Sequence, residues 1–143
     1  MFNLIKPFLI ALSFFFVGNT FGHEMNPARL LLEEQKDATY IGNWMFPANA
    51  VGLPAEVSFT GCSEENRNLP RIEGKYLVSQ LSINCKDSIK GKEINLKGLS
   101  RITDALISIN FNDGTKFEGL ATVSNSKITV PQEVSIYPTG YFW

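Results

Sequence analysis

From Leu30 onward the chain is a succession of short apolar–polar alternations separated by turn residues, and this pattern admits little besides an all-β fold. Glu56 to Thr60 places Val57 and Phe59 on one side. Ile94 and Leu96 alternate with Asn95 and Lys97, and Ile107, Ile109 and Phe111 share a face that excludes Leu106. Leu30-Leu31-Leu32, ahead of Glu33-Glu34, starts the first strand, and Thr39 to Phe46 forms the second, stopped by Pro47. Tyr76, Val78, Leu81 and Ile83 change phase near Ser79-Gln80, which predicts a β-bulge there. A last strand runs from Lys127 to Val130 and ends at Pro131.

The turns fall between these runs. Asn112-Asp113-Gly114 predicts a hairpin joining Leu106–Phe111 to Thr115–Val123, because glycine supplies the positive φ that a tight turn requires. Asp37, Gly91 and Gly98 mark further turns. Seven or eight strands predict an immunoglobulin-like antiparallel β-sandwich, with a small β-barrel as the alternative. The stretch Gly61 to Arg71 is the most polar of all and reads as the least ordered loop. Trp44 reads as a core residue between the sheets, in preference to a sugar-stacking platform.

The first 22 residues are different. A short basic start at Met1–Lys6, an apolar run from Pro7 to Val17, and small residues Thr20 and Gly22 before His23 have the layout of a secretory signal peptide. The apolar run is too short for a bilayer, which needs about 20 residues. Residues 23–143 are then one extracytoplasmic domain, exported to the periplasm, with association with the inner membrane as a further expectation. There disulfides form, and Cys62 and Cys85, the only two cysteines, read as a structural bridge in preference to two buried thiols.

Composition removes several function classes. A net charge of −1 does not provide the concentrated basic surface that nucleic-acid binding needs. One histidine and two cysteines cannot assemble a three- or four-ligand His/Cys metal site. No phosphate-binding glycine loop or dinucleotide fingerprint occurs, and no small-molecule substrate suggests itself. A Ser-His-Asp or Cys-His site would have to use His23 at the start of the mature chain. The pairs Glu33/Glu34 and Glu64/Glu65 are strand neighbours, which point to opposite faces. The expectation is a non-catalytic protein.

One metal site is conceivable. After cleavage at Gly22, the α-amine and imidazole of His23 can chelate Cu²⁺ or Ni²⁺, with Glu24 adding a carboxylate oxygen.

A wider pattern runs through the chain. His23-Glu24 and Pro27 follow the leader, then come a Leu-rich strand, and Trp44 two residues before Phe46-Pro47. Cys62, Cys85 six residues before Gly91, Ile94 leading into Gly98-Leu99, the Asp113-Gly114 turn and Val130-Pro131 complete it. This order resembles the N-terminal extracytoplasmic region of the HupE/UreJ-like membrane proteins, which are associated with hydrogenase and urease gene clusters and with nickel handling. The resemblance implies a domain that docks on a membrane protein or membrane surface, or guards the outer mouth of a transport path. Family members usually continue into transmembrane helices whose His and Asp residues form the supposed metal path, and no such positions exist in this sequence. Tyr141-Phe142-Trp143 stands where the first of those helices would begin, and an aromatic cluster suits a membrane interface. Two other readings are a small soluble copper- or nickel-binding module built on His23 and a stand-alone adhesion or assembly domain using strand edges.

Overall fold

A computed structural model describes residues 26–50 and 52–134. These form ten strands and no helix: β1 (Ala28–Glu34), β2 (Thr39–Pro47), β3 (Glu56–Thr60), β4 (Ser63–Arg67), β5 (Arg71–Glu73), β6 (Tyr76–Asn84), β7 (Glu93–Lys97), β8 (Ala105–Asn110), β9 (Lys116–Ala121) and β10 (Lys127–Thr129). The expected signal peptide, the candidate metal residues His23 and Glu24, and the terminal aromatic cluster lie outside the described residues.

The strands make two sheets. The larger has the order β4-β6-β2-β1-β8-β9, with β5 also on β6, and the smaller has the order β10-β7-β3. The result is a β-sandwich with neither sheet closed into a barrel. Two short links carry the chain from one sheet to the other. Gly61-Cys62 leads from β3 to β4, and residues 122–126 lead from β9 to β10. Edge strands of one sheet therefore run on into edge strands of the other, the corner construction that two-layer β folds use.

Alternation decides which face is buried. Leu30 and Leu32 of β1, Tyr40, Trp44 and Phe46 of β2, Leu81 and Ile83 of β6, and Ile107 and Ile109 of β8 all face inward. They meet Val57, Ile94, Leu96 and Ile128 of the smaller sheet in one hydrophobic core. Cross-strand register is consistent with this, since Leu30 lies opposite both Trp44 and Ile107.

Gly42 also sits on the inner face, opposite Leu32 and Leu81. A Cβ there would come within 1.8 Å of the Leu31 carbonyl oxygen and 2.9 Å of a Leu32 methyl. The first obstacle is backbone and cannot rotate away. Gly42→Ala should force β1 and β2 apart locally, at a cost of about 1–3 kcal/mol typical of overpacking. Urea unfolding of the two proteins measures this, and an unchanged midpoint would show that the strands can absorb the methyl group.

Four sequence expectations need correction. The sandwich is not wholly antiparallel, because β1 and β8 pair in parallel, with Leu30 opposite Ile107. The chain reaches β8 after visiting the smaller sheet in β7, so no tight turn forces opposite directions on the pair. There are ten strands instead of seven or eight. The two pieces that alternation missed, β4 and β5, lie in the segment Gly61–Arg71 and just beyond it, which read as loop. Every residue of both is exposed, so neither side has to be apolar, while backbone pairing to β6 does not depend on side-chain type.

The fourth concerns the bulge expected near Ser79-Gln80. β6 pairs with β2 one-to-one along its whole length, from Asn84 opposite Thr39 to Tyr76 opposite Pro47. The irregularities lie on the other side of β6. Register shifts between Glu64 and Asn66, and again farther on, where Asn68 bonds Gln80 while Arg71 faces Val78. Leu69 and Pro70 thus share the single position opposite Ser79. Tyr76 and Val78 are apolar residues on the outer face, which produced the apparent change of phase.

The β8–β9 hairpin follows the expected turn. The Gly114 N–H donates to the Phe111 carbonyl at 3.1 Å, and the Phe111 N–H to the Thr115 carbonyl at 2.9 Å. Gly114 has φ +87°. This is the three-residue loop in which a type I turn is followed by a left-handed glycine. Asp113 Oδ1 accepts from the Thr115 N–H at 2.9 Å and from its hydroxyl at 2.6 Å. Those bonds to Thr115 hold the Asp113 carboxyl below its usual range. A Cβ at Gly114 meets nothing within 4 Å, so any penalty there is purely backbone strain. Gly114→Val should cost about 1–3 kcal/mol, read as a lower melting temperature in calorimetry. An unchanged melting temperature would mean that the turn relaxes without cost.

The first turn is built from the positive-φ pair Asp37 (59°) and Ala38 (58°), closed by the Thr39 N–H donating to the Lys36 carbonyl at 3.2 Å. Gly91 and Gly98 take positive φ at the remaining expected turns.

Candidate docking face and polar cleft

The sequence singled out the two cysteines, and the structure joins them. Cys62 and Cys85 form a disulfide with a Cα–Cα distance of 4.0 Å. Cys62 sits in the corner between β3 and β4, and fully buried Cys85 follows β6 directly. The bond therefore ties a sheet-to-sheet corner to a central strand. Arg67 strengthens the same corner by donating from Nη2 to the Val57 carbonyl at 2.9 Å, from β4 back to β3.

The other chemical candidates separate. Glu33 lies exposed on the outer face beside Ile41, whereas Glu34 turns the other way. Glu34 Oε1 accepts from the Asn112 N–H at 2.9 Å, and its Oε2 accepts from the Tyr40 hydroxyl at 3.4 Å. Glu64 is engaged by Arg67. Among the described residues no three His, Cys, Asp or Glu side chains gather as a metal site. Trp44 is buried in the core and bridges the sheets, its indole N–H donating to the Ala55 carbonyl at 3.0 Å just ahead of β3.

The surface with the most unusual composition is the outer face of the larger sheet. Paired residues point to the same side, so the register lays out this face as rows. One row runs Leu120, Leu106, Arg29, Met45, Val78 and Arg71 across β9, β8, β1, β2, β6 and β5. The next brings together Ser108, Leu31, Asn43 and Gln80, and a third brings Glu33, Ile41 and Ser82. Leu31, Ile41 and Leu120 are 40%, 41% and 44% exposed. Met45 and Leu106 are half-buried between them. Arg29, Glu33 and a Lys116–Glu118 ion pair of 2.8 Å are interspersed, which leaves the face close to neutral. Solvent-facing sheet positions are ordinarily polar, so apolar residues spread across four neighbouring strands are the feature that needs a reason.

At the β5–β6 end the same face holds a cleft of about 250 Å³ lined by Asn43, Asn68, Leu69, Arg71, Glu73, Val78 and Gln80. One wall lies where Leu69 and Pro70 together oppose a single residue of β6. Asn68 is fixed to Gln80 twice, by its N–H to the Gln80 carbonyl at 2.9 Å and by its carboxamide to Gln80 Oε1 at 3.4 Å. Arg71 Nη2 donates to Glu73 Oε1 at 3.1 Å, so the charges in the cleft compensate each other.

None of these cleft residues was singled out in the sequence. Asn43 and Gln80 are polar positions on strands that alternate, which is what any solvent-facing residue looks like. Comparison with known proteins finds no matching family model, no matching curated protein and no matching solved structure.

Proposed function

We propose that this protein is a non-catalytic extracytoplasmic domain that docks on a membrane protein through the outer face of its larger sheet. The observation that carries the reading is the exposed apolar band of Leu31, Ile41 and Leu120, with Met45 and Leu106 between them. Its near-neutral setting suits a surface whose contact is made by shape and apolar burial more than by charge. Export is supported by the Cys62–Cys85 disulfide, since such bonds persist in oxidising compartments. No helix among the described residues is long and apolar enough to cross a membrane. The resemblance of the chain to the extracytoplasmic part of HupE/UreJ-like proteins supports a periplasmic location, a nickel-handling membrane partner, and a role in docking or in guarding a transport path.

The test uses the paired substitution Leu31→Ser and Ile41→Ser in the full chain. Both side chains are partly exposed on the outer face, so the variant should fold. Membranes from cells making the unchanged protein should retain it, and membranes from cells making the variant should release it. Equal retention of both proteins would remove the band from the interface. Equal retention on protein-free lipid vesicles would replace the membrane protein by the lipid surface as the thing bound.

A further inference from the structure

We infer that the polar cleft at the β5–β6 end of the larger sheet binds one unit of a neutral saccharide, an activity separate from the docking proposed above. Three carboxamides converge there from three stretches of chain: Asn43 on β2, Gln80 on β6 and Asn68 at the end of β4. Asn43 and Gln80 are directly opposite each other on the outer face. Each carboxamide carries two N–H donors and one acceptor oxygen, so the group as a whole offers both kinds of partner. Among the contacts within the cleft, one carboxamide pair, Asn68 to Gln80, is bonded to itself at 3.4 Å, the long end of the range.

A sugar hydroxyl is likewise both donor and acceptor, and it is matched by such amides in either orientation. Charge points the same way. Arg71 and Glu73 pair at 3.1 Å, so the cleft carries no net charge to favour an anionic or a cationic ligand. Their remaining donors and acceptors are available to hydroxyls. The apolar part is small and suitably placed. Val78 is buried in the floor, and Leu69, 87% exposed, stands at the rim. A sugar ring carries its hydroxyls around its edge, where the carboxamides of the cleft can meet them. The volume of about 250 Å³ lies just below the roughly 300–1,000 Å³ of sites for drug-sized ligands. It suits a single ring more than an extended chain.

Part of the wall is held in place. Asn68 is fixed by the backbone bond to Gln80 at 2.9 Å, and Gln80 belongs to a strand paired on both sides. Less ordering is then left to be done at these two residues on binding.

The experiment follows the side-chain NH₂ signals of Asn43, Asn68 and Gln80 by ¹⁵N–¹H NMR in the intact protein. The probes are glucose, galactose, mannose and N-acetylglucosamine, with capped trialanine as a peptide. At least one sugar should shift these three signals saturably while the β8–β9 signals stay in place. Gln80→Ala and Arg71→Ala alter exposed residues and should keep the backbone spectrum elsewhere, yet each should weaken the binding about tenfold or more. The inference fails if no sugar moves the signals, if the variants bind as well as the unchanged protein, or if only the peptide moves them. Retention on membranes is read through Leu31 and Ile41, so failure here leaves the docking result standing, and the reverse holds too.

Discussion

Truncating Trp44 to Ala should lower the unfolding free energy by about 3–5 kcal/mol, as removal of a large core aromatic generally does. The side chain is 4% exposed and packs against Phe46, with ring centroids 6.2 Å apart. It also carries a polar link. Loss of the indole N–H leaves the Ala55 carbonyl without the bond it now accepts at 3.0 Å in a buried setting. Ala55 immediately precedes β3, so the damage reaches from the larger sheet to the smaller one. Domains of this size have only about 5–15 kcal/mol of stability in all. Trp44→Phe separates the two contributions, since it keeps an aromatic ring but loses the donor, and about 1–3 kcal/mol should be lost to the unsatisfied carbonyl alone. Guanidinium denaturation followed by circular dichroism measures both variants. If Trp44→Ala unfolds at the same midpoint as the unchanged protein, the residue is not part of the core that holds the sheets together.

Replacing both cysteines with Ala should cost roughly 3 kcal/mol in the chain-entropy account of a loop this long. The bridge spans a sequence separation of 23 and encloses β4, β5 and the whole of β6. β4 is exposed along its whole length and is paired through β6, so the corner at Cys62 is a principal restraint on it. Amide hydrogen exchange should therefore show the largest loss of protection in β4 and β5, with β1, β2 and β8 changed least. The intact bond is checked by mass spectrometry without reduction, where the folded protein should be lighter than its dithiol by two hydrogens. Uniform loss of protection across both sheets would show that the bond acts on the whole fold and not on the corner.

Much of the architecture was legible because burial on one face leaves a mark in every second residue. Val57, Ile94 and Leu96, and Ile107, Ile109 and Phe111 were grouped on one face by alternation alone, and all are buried. Turn chemistry was equally local. Gly114 needs a positive φ whatever lies around it, and Asp37 turns the first hairpin within four residues. The disulfide was readable because two cysteines allow one pairing, and the structure contains it.

The parts that escaped share a cause. β4 and β5 are held by backbone hydrogen bonds to β6 and bury no face, so Ser63–Arg67 and Arg71–Glu73 carry no alternation to read. The apparent break in β6 was a change of exposure, and the true irregularity lies in a neighbour that the sequence of β6 cannot report. Parallel pairing of β1 with β8 depends on the route of the chain through the smaller sheet, a property of no local stretch.

By itself, then, the sequence determined the strand class, the inner faces of β3, β7 and β8, the Asp37 and Gly114 turns and the cysteine bridge, because each is set within a few residues or by a count of two. Only the tertiary structure decided what stands side by side on the outer face. Leu31, Ile41, Leu106 and Leu120 become one band, and Asn43, Asn68, Arg71 and Gln80 become one cleft, through the register of strands far apart in the chain. Solvent-facing positions obey no burial rule, so their neighbours are chosen by pairing geometry alone.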